Sequence, residues 1–154
     1  MPFSRDYHDI LVVEDNDDDF EATERALSST GQLRNPVRRC RDGLEAWRYL
    51  KGDKSTDPLD RTQLPDLILL DLNMPGLDGR SFLKRMKGDD DLRPIPVVIM
   101  TTSNDSVDVR ACYDAGANTY VCKPVSWSEF NKAIARLRDY WFGLAVLPHT
   151  ERAP

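Results

Sequence analysis

The stretch Leu67-Ile68-Leu69-Leu70-Asp71-Leu72-Asn73-Met74-Pro75-Gly76-Leu77-Asp78-Gly79 decides the fold. Leu67 to Leu70 are apolar without the alternation of a strand that has one wet face. Such a strand is covered on both sides, as in the interior of a parallel sheet flanked by helices. The apolar run stops at a carboxylate, Asp71. Met74-Pro75-Gly76 then signals a turn. Asp78 before Gly79 opens a helix that carries Phe82, Leu83 and Met86 at core spacing. The segment is therefore a strand, a polar strand end, a turn and a helix in succession.

Working outward, the same unit recurs. Apolar runs begin near Ile10, Val37, Leu67, Val97 and Tyr120, and helical stretches lie between them. The first helix begins in the acidic run Asp17-Asp18-Asp19, which suits the positive end of a helix dipole, and stops at Gly31. The second covers about Gly43 to Lys51. The fourth runs from about Asp105 to Ala115 and ends at Gly116, a C-cap signal. The fifth carries Trp127, Phe130, Ile134, Leu137 and Trp141 on one face, read as core packing except at its far end. Strands alternating with helices in this way predict an α/β fold, one parallel sheet and one domain spanning residues 1–154. Two stretches fit this pattern poorly. Gly52 to Pro65 is a long polar connection, which suggests a functional loop. The tail from Trp141 to Pro154 opens Trp141-Phe142-Gly143-Leu144-Ala145-Val146-Leu147, more apolar than a free terminus needs.

Composition narrows the function classes. With 154 residues, 40% hydrophobic and 31% charged, the chain has the make-up of a soluble globular domain. No apolar run approaches the roughly 20 residues that cross a bilayer. Met1 to Asp9 lacks the layout of a signal peptide, so a cytoplasmic location and no membrane partner are expected. The net charge of −5 argues against nucleic acid as a partner. Arg34, Arg38, Arg39 and Arg41 are read as a solvated surface. Cys40, Cys112 and Cys122 form no metal-binding or disulfide pattern, and are expected to be reduced thiols at least partly in the core.

The chemistry collects at strand ends. The first strand ends in Glu14-Asp15, the third in Asp71, the fourth in Thr101-Thr102 and the fifth in Lys123-Pro124. In a parallel sheet all these ends lie on one edge, where open α/β sheets bind their ligands. Two carboxylates about 5 Å apart repel by roughly 3 kcal/mol at an effective dielectric near 20. Three such pairs approach the stability of a whole domain. A bound cation relieves this directly, and hard oxygen ligands with one open face suit Mg²⁺, with Mn²⁺ able to substitute. Each residue alone has a simpler explanation. Glu14 and Asp15 could cap a helix, Asp71 could belong to a turn, Thr101 could be an ordinary strand residue and Lys123 a solvated one. Those explanations would have to hold at four strand ends together.

The segments Val13-Glu14-Asp15-Asn16, Leu70 to Gly79, Met100-Thr101-Thr102-Ser103 and Tyr120-Val121-Cys122-Lys123-Pro124 resemble receiver domains of two-component response regulators. The resemblance covers about residues 8–140 and leaves 141–154 as an apolar extension. It implies a doubly wound, flavodoxin-like (βα)5 fold with sheet order 2-1-3-4-5. Asp71 would accept a phosphoryl group from the phosphohistidine of a sensor histidine kinase. Asp15, Asp71 and the carbonyl of Asn73 would ligate Mg²⁺, with Glu14 contributing through water. Lys123 and Thr101 would hold phosphoryl oxygens, and Tyr120 would be the switch aromatic that follows Thr101. The Lys123–Pro124 bond would be cis. Phe20, Thr23, Val125, Ser126 and Trp127 would flank the kinase docking site.

The long loop and the apolar tail resemble the subgroup serving bacterial phytochrome kinases. Such a chain would report phosphorylation through its own surface, the fourth helix, fifth strand and fifth helix, rather than through an attached output domain. Tyr140, Trp141, Phe142, Leu144, Val146 and Leu147 would extend that face into a homodimer interface, unless the tail folds back onto the protein's own core. Two other readings compete. A haloacid-dehalogenase-type phosphatase also uses a strand-end Asp, but its second Asp follows two residues on, where this chain has Asn73. A binding module that no longer takes phosphate would not need all five site residues. The chain is thus read as no enzyme beyond its own phosphorylation and dephosphorylation.

Overall fold

Five strands and five helices alternate along the chain in a computed structural model that describes residues 8–28, 37–52, 64–74 and 76–148. They are β1 (Ile10–Val13), α1 (Asp17–Ser28), β2 (Arg38–Cys40), α2 (Gly43–Lys51), β3 (Leu67–Leu70), α3 (Gly79–Lys87), β4 (Val97–Thr101), α4 (Ser106–Asp114), β5 (Thr119–Cys122) and α5 (Trp127–Gly143). All neighbouring strands pair in parallel, in the order β2-β1-β3-β4-β5. This is the predicted doubly wound, flavodoxin-like topology. The order reverses between β1 and β3, where Ile10 to Val13 register against Leu67 to Leu70. A crevice opens beyond the carboxyl ends of strands at such a reversal.

Alternate residues of the central strands feed two separate cores. Leu11, Val13, Ile68, Leu70, Val97 and Ile99 pack with side chains of α2 and α3, among them Leu50, Phe82, Leu83 and Met86. Ile10, Val12, Leu67, Leu69, Val98 and Met100 pack on the other face with Leu27 of α1 and Phe130, Ile134 and Trp141 of α5. Every residue of β1, β3 and β4 is buried. The unbroken apolar runs are explained by this two-sided cover.

The helix starts read at Asp78 and Asp105 hold, and the structure adds caps at Asp42 and Ser126. Asp42, Asp78 and Asp105 accept hydrogen bonds from the N–H groups of Glu45, Ser81 and Val107, and Ser126 accepts one from Glu129. Gly79 is required by proximity: a Cβ there would collide with the carbonyl oxygen of Asp71. α3 can therefore start directly beneath the end of β3. At the other end of the sheet, Asp9 N–H donates to the Asp66 carboxylate and Asp66 N–H to the Asp9 carbonyl. These bonds tie the starts of β1 and β3 together.

Four expectations are corrected. On α5 the near end, not the far end, leaves the core: Trp127 is 52% exposed, whereas Trp141 is buried. Phe130, three residues on, is already in the core, so only the start of the helix is left outside it. Cys40 and Cys112 are buried, but Cys122 is exposed because β5 is an edge strand. Arg39 is not a solvated residue: its Nε donates to the Glu14 carbonyl at 3.0 Å and its guanidinium lies over the Phe20 ring. Finally, no cis peptide bond occurs among the described residues, so Lys123–Pro124 is trans, the form a proline bond prefers intrinsically. Most of the long connection Gly52–Pro65, the stop of the first helix at Gly31, and Arg34 and Pro75 lie outside the described residues, as does the end of the tail.

Candidate active site at the carboxyl edge of the sheet

The site is built by strand ends that chain order alone would scatter. Glu14 follows β1 and is held by its own N–H, which donates to the Cys40 carbonyl at 3.0 Å, and by Arg39 on its carbonyl. Asp71 follows β3, with its N–H donating to the Val13 carbonyl at 3.1 Å. Lys123 follows β5, and its N–H donates to the Thr101 carbonyl at 2.6 Å. The backbone of each residue is thus bonded to the adjacent strand, which fixes where its side chain starts.

Glu14, Asp15 and Asp71 each bring a carboxylate oxygen within 4.8 Å of the others. Asp71 is only 8% exposed and Glu14 4%, while Asp15 faces the open side. The Lys123 ammonium enters this group from β5. It lies 2.5 Å from Glu14 Oε1, 2.9 Å from Asp19 Oδ2 and 3.4 Å from Asp71 Oδ2. The electrostatic state follows from the burial. Burial first, and then the adjacent Asp71, push the Glu14 carboxyl up to about 8, with Lys123 offsetting part of the rise. Burial pulls the Lys123 ammonium down, but Glu14, Asp71 and Asp19 more than reverse this, and it stays well above an ordinary lysine. A carboxylate cluster that holds a proton this firmly is one that a divalent cation would discharge. The donor set is all hard oxygen, and Asp15 keeps one face open to water, which fits Mg²⁺ or Mn²⁺.

The other predicted residues sit around the pocket. Asn73 N–H donates to Asp71 Oδ1 at 3.2 Å, and its Nδ2 donates to Thr101 Oγ1 at 3.3 Å. Thr101 is fully buried and accepts a long bond from Ser103 N–H. Tyr120 packs against the α2–α3 core and donates its hydroxyl to the Ser103 carbonyl at 2.8 Å. Ser103 Oγ in turn donates to Asp108 Oδ2 at 2.7 Å, and Asp108 is paired with Arg80. Beneath Lys123, a cavity of about 10 Å³ lies among Thr23, Leu70, Asp71 and Met100, room for roughly one water.

Thr23 is not part of any outer surface. It is buried, with its hydroxyl donating to the Asp19 carbonyl at 2.8 Å, so it cannot meet a kinase directly. Val125 and Trp127 are exposed and Phe20 partly so. In the tail, Trp141 belongs to the protein's own core, Phe142 and Leu147 pack partly against it, and Phe142 stacks on His8. Tyr140, Leu144 and Val146 remain exposed. Asp19 is the residue that sequence reasoning missed. The charge pattern places it in a helix-dipole run, yet its carboxylate joins the site through Lys123. Its place in the first turn of the helix leaving the acid pair was the available signal.

A buried strand-end carboxylate with a flanking ammonium, a hydroxyl and an acidic cation site defines a phosphoryl-accepting α/β domain. Residues 10–135 match the response regulator receiver domain, and the chain belongs to that family. It is 35% identical to the response regulator Rcp1 of Synechocystis over 139 residues, covering 90% of this chain and 92% of Rcp1. The crystal structure of the phosphorylated cyanobacterial phytochrome response regulator RcpA superposes with a TM-score of 0.81 at 35% identity, covering 92% of this chain and 99% of that one. The Mn²⁺-bound form of Rcp1 also gives 0.81, at 33% identity and with coverages of 92% and 99%. The bacteriophytochrome response regulator AtBRR gives 0.67 at 43% identity, covering 85% and 92%. The chain is therefore a response regulator receiver domain, not a turnover enzyme. It accepts a phosphoryl group on an aspartate with the help of Mg²⁺ or Mn²⁺, and its partner class is the histidine kinase. Among the described residues, no helix is long and apolar enough to cross a membrane.

Proposed function

We propose that Asp71 is the phosphoacceptor of this receiver. The observation that carries it is the convergence on Asp71 of the Lys123 ammonium, Glu14 and Asp15 at the reversal point of the sheet. A carboxylate oxygen of Asp71 attacks phosphorus, the P–N bond of the kinase phosphohistidine breaks, and the imidazole leaves. Asp71 is held for this by the Asn73 N–H on one oxygen, with the other facing Lys123. Lys123 and the Thr101 hydroxyl would receive phosphoryl oxygens. The bonds from Asn73 and Ser103 use Thr101 lone pairs, so its hydroxyl proton would be the one donated to a phosphoryl oxygen. Asp15, Asp71 and the Asn73 carbonyl, with Glu14 alongside, would hold a divalent cation, which would supply charge neutralisation and orientation, most of what phosphoryl transfer requires. Catalysis by the protein is confined to its own phosphorylation and dephosphorylation.

The test is mass spectrometry after treatment with acetyl phosphate and Mg²⁺. Wild type should gain one acid-labile phosphoryl group and Asp71→Asn none, with circular dichroism unchanged. Undiminished labelling of Asp71→Asn at another residue would overturn the assignment.

The likeness to phytochrome response regulators favours a cytoplasmic phytochrome-type kinase as the phosphodonor. Phe20, Val125, Ser126 and Trp127 would line the docking face, with Thr23 supporting it from inside. The signal would leave through α4, β5 and α5, next to Tyr120. A homodimer would form through the exposed Tyr140, Leu144 and Val146, which are unlike the tail residues already used by the core. Asp substitutions at Leu144 and Val146 leave Trp141 in place. Light scattering should show them to be monomeric where wild type is dimeric, and a wild type monomeric at all concentrations would refute the interface.

A further inference from the structure

We propose that Asp19 is a positioning residue for phosphoryl transfer: it holds the Lys123 ammonium in the resting protein and must release it before Lys123 can pair with a phosphoryl group. This rests on Asp71 being the acceptor and Lys123 its cationic partner.

An ammonium has three N–H bonds. Lys123 has three carboxylates around it, Glu14 Oε1 at 2.5 Å, Asp19 Oδ2 at 2.9 Å and Asp71 Oδ2 at 3.4 Å. All its donors are committed, so a phosphoryl oxygen can be engaged only when one of them is given up. Glu14 is a poor candidate for release. Its side chain is 5% exposed, so giving up the 2.5 Å bond at Oε1 would leave a buried oxygen that water does not readily reach. Asp19 is 43% exposed, so water can take over its bond at little cost. Asp71 is the residue that receives the phosphoryl group.

The approach of Asp19 is built into the fold. Its N–H donates to Asn16 Oδ1 at 2.9 Å, and its carbonyl accepts the buried Thr23 hydroxyl at 2.8 Å. The first turn of α1 is therefore pinned on both sides of Asp19. Its neighbours differ: Asp17 pairs with Arg39 and Arg41, and Asp18 is exposed without an ion pair among the described residues. Asp19 thus competes with phosphoryl oxygen for one ammonium, and it adds negative charge where a dianionic donor approaches.

The experiment is the rate of labelling of the full chain by acetyl phosphate at saturating Mg²⁺, followed by mass spectrometry. Here the Asp71 oxygen attacks phosphorus and acetate leaves. Asp19→Asn is expected to be labelled roughly three- to tenfold faster than wild type at low salt, the size of a local charge effect at a partly open cleft. The advantage should shrink as salt is raised, because an exposed charge is screened. Asp19→Glu should return the rate to that of wild type, and Asp18→Asn should leave it unchanged. A merely structural role for Asp19 would lower the melting temperature but produce neither the salt dependence nor the rescue. If Asp19→Asn does not fold, Asp19→Ser provides the second neutral variant. A neutral variant labelled at the wild-type rate or more slowly, or an equal gain in Asp18→Asn, overturns the proposal. A wild type that takes no label on Asp71 would instead overturn the acceptor assignment.

Discussion

The strand that leads to Asp71, the proposed acceptor, and the strand that carries Tyr120, the proposed switch aromatic, are held in opposite ways. All four residues of β3 are buried, and α3 behind it buries Gly79, Phe82, Leu83 and Met86. No residue of β5 is fully buried, and α4 buries only Cys112. α4 and β5 are tied instead by polar links: Arg80 to Asp108, Ser103 to Asp108, the Tyr120 hydroxyl to the Ser103 carbonyl, and Tyr120 N–H to the Tyr113 hydroxyl at 3.1 Å. Burying a large apolar side chain contributes roughly 1.5–3 kcal/mol. A hydrogen bond contributes roughly 0.5–1.5 kcal/mol and can be exchanged for water or another partner. The difference teaches a division of labour. Asp71, the proposed acceptor, follows an element that cannot move without breaking the core. Tyr120, the proposed reporter, sits on one whose contacts are cheap to rearrange, as in segments of low local stability generally.

The contrast can be broken most directly in the core. Phe82→Ala should destabilise by about 3–5 kcal/mol, because it empties a fully buried site under β3. Val107→Ala on the exposed face of α4 should stay within about 0.5 kcal/mol. Urea denaturation measures both, and similar losses would mean that the two halves are equally anchored.

Cation binding should sharpen the comparison next. At about 100 times its dissociation constant, Mg²⁺ should add roughly 2.7 kcal/mol. For a chain of this size that is roughly 5–10 °C in melting temperature. Asp15→Asn should shrink the shift. The pH dependence has a definite sign. Glu14 is raised in the folded state to about 8 from an ordinary 4.5, so the folded protein binds the extra proton across that window. Its contribution is fully present below pH 4.5 and is lost as pH rises through about 8. Metal-free protein should therefore lose stability from pH 5 to pH 8 by calorimetry, and Glu14→Gln should flatten the slope. The opposite slope would show that Glu14 is ionised throughout.

A smaller effect is expected on the reporter side. Arg80→Ala removes the partner of Asp108 and should cost roughly 0.5–1 kcal/mol, as partly exposed pairs do. Amide exchange should accelerate in α4 and the loop before it while α3 keeps its protection. Uniform acceleration would show that Arg80 serves the core instead. The smallest energetic effect, and the clearest chemical one, concerns thiols. Cys40 is pushed up to about 12 by burial, and burial also raises Cys112, whereas Cys122 is exposed. Iodoacetamide should modify Cys122 first, with little loss of stability, and Cys122→Ser should abolish the fast phase.

Much of this was legible in the chain. Unbroken apolar runs such as Leu67 to Leu70 specify strands covered on both faces, and Asp78 and Asp105 announce helix starts, because these signals act over a few neighbouring residues. The converging strand ends Glu14, Asp71, Thr101 and Lys123 could be anticipated too, since a parallel sheet places every carboxyl end on one edge. Other features could not be read so locally. The same helical face carries Trp127 into solvent and Trp141 into the core, and only the packing around each decides which is covered. Arg39 and Asp19 look like ordinary members of charge runs. Their partners, the Glu14 carbonyl and Lys123, lie on other elements, 25 and 104 residues away along the chain. The sequence by itself determined the order of the elements, the one-edged site and the chemistry of its residues, all set by local periodicity and residue type. Only the tertiary structure decided which carboxylates share the Lys123 ammonium and which aromatic residues of the last helix are spent on the core, because ion pairing and burial depend on distances that packing creates.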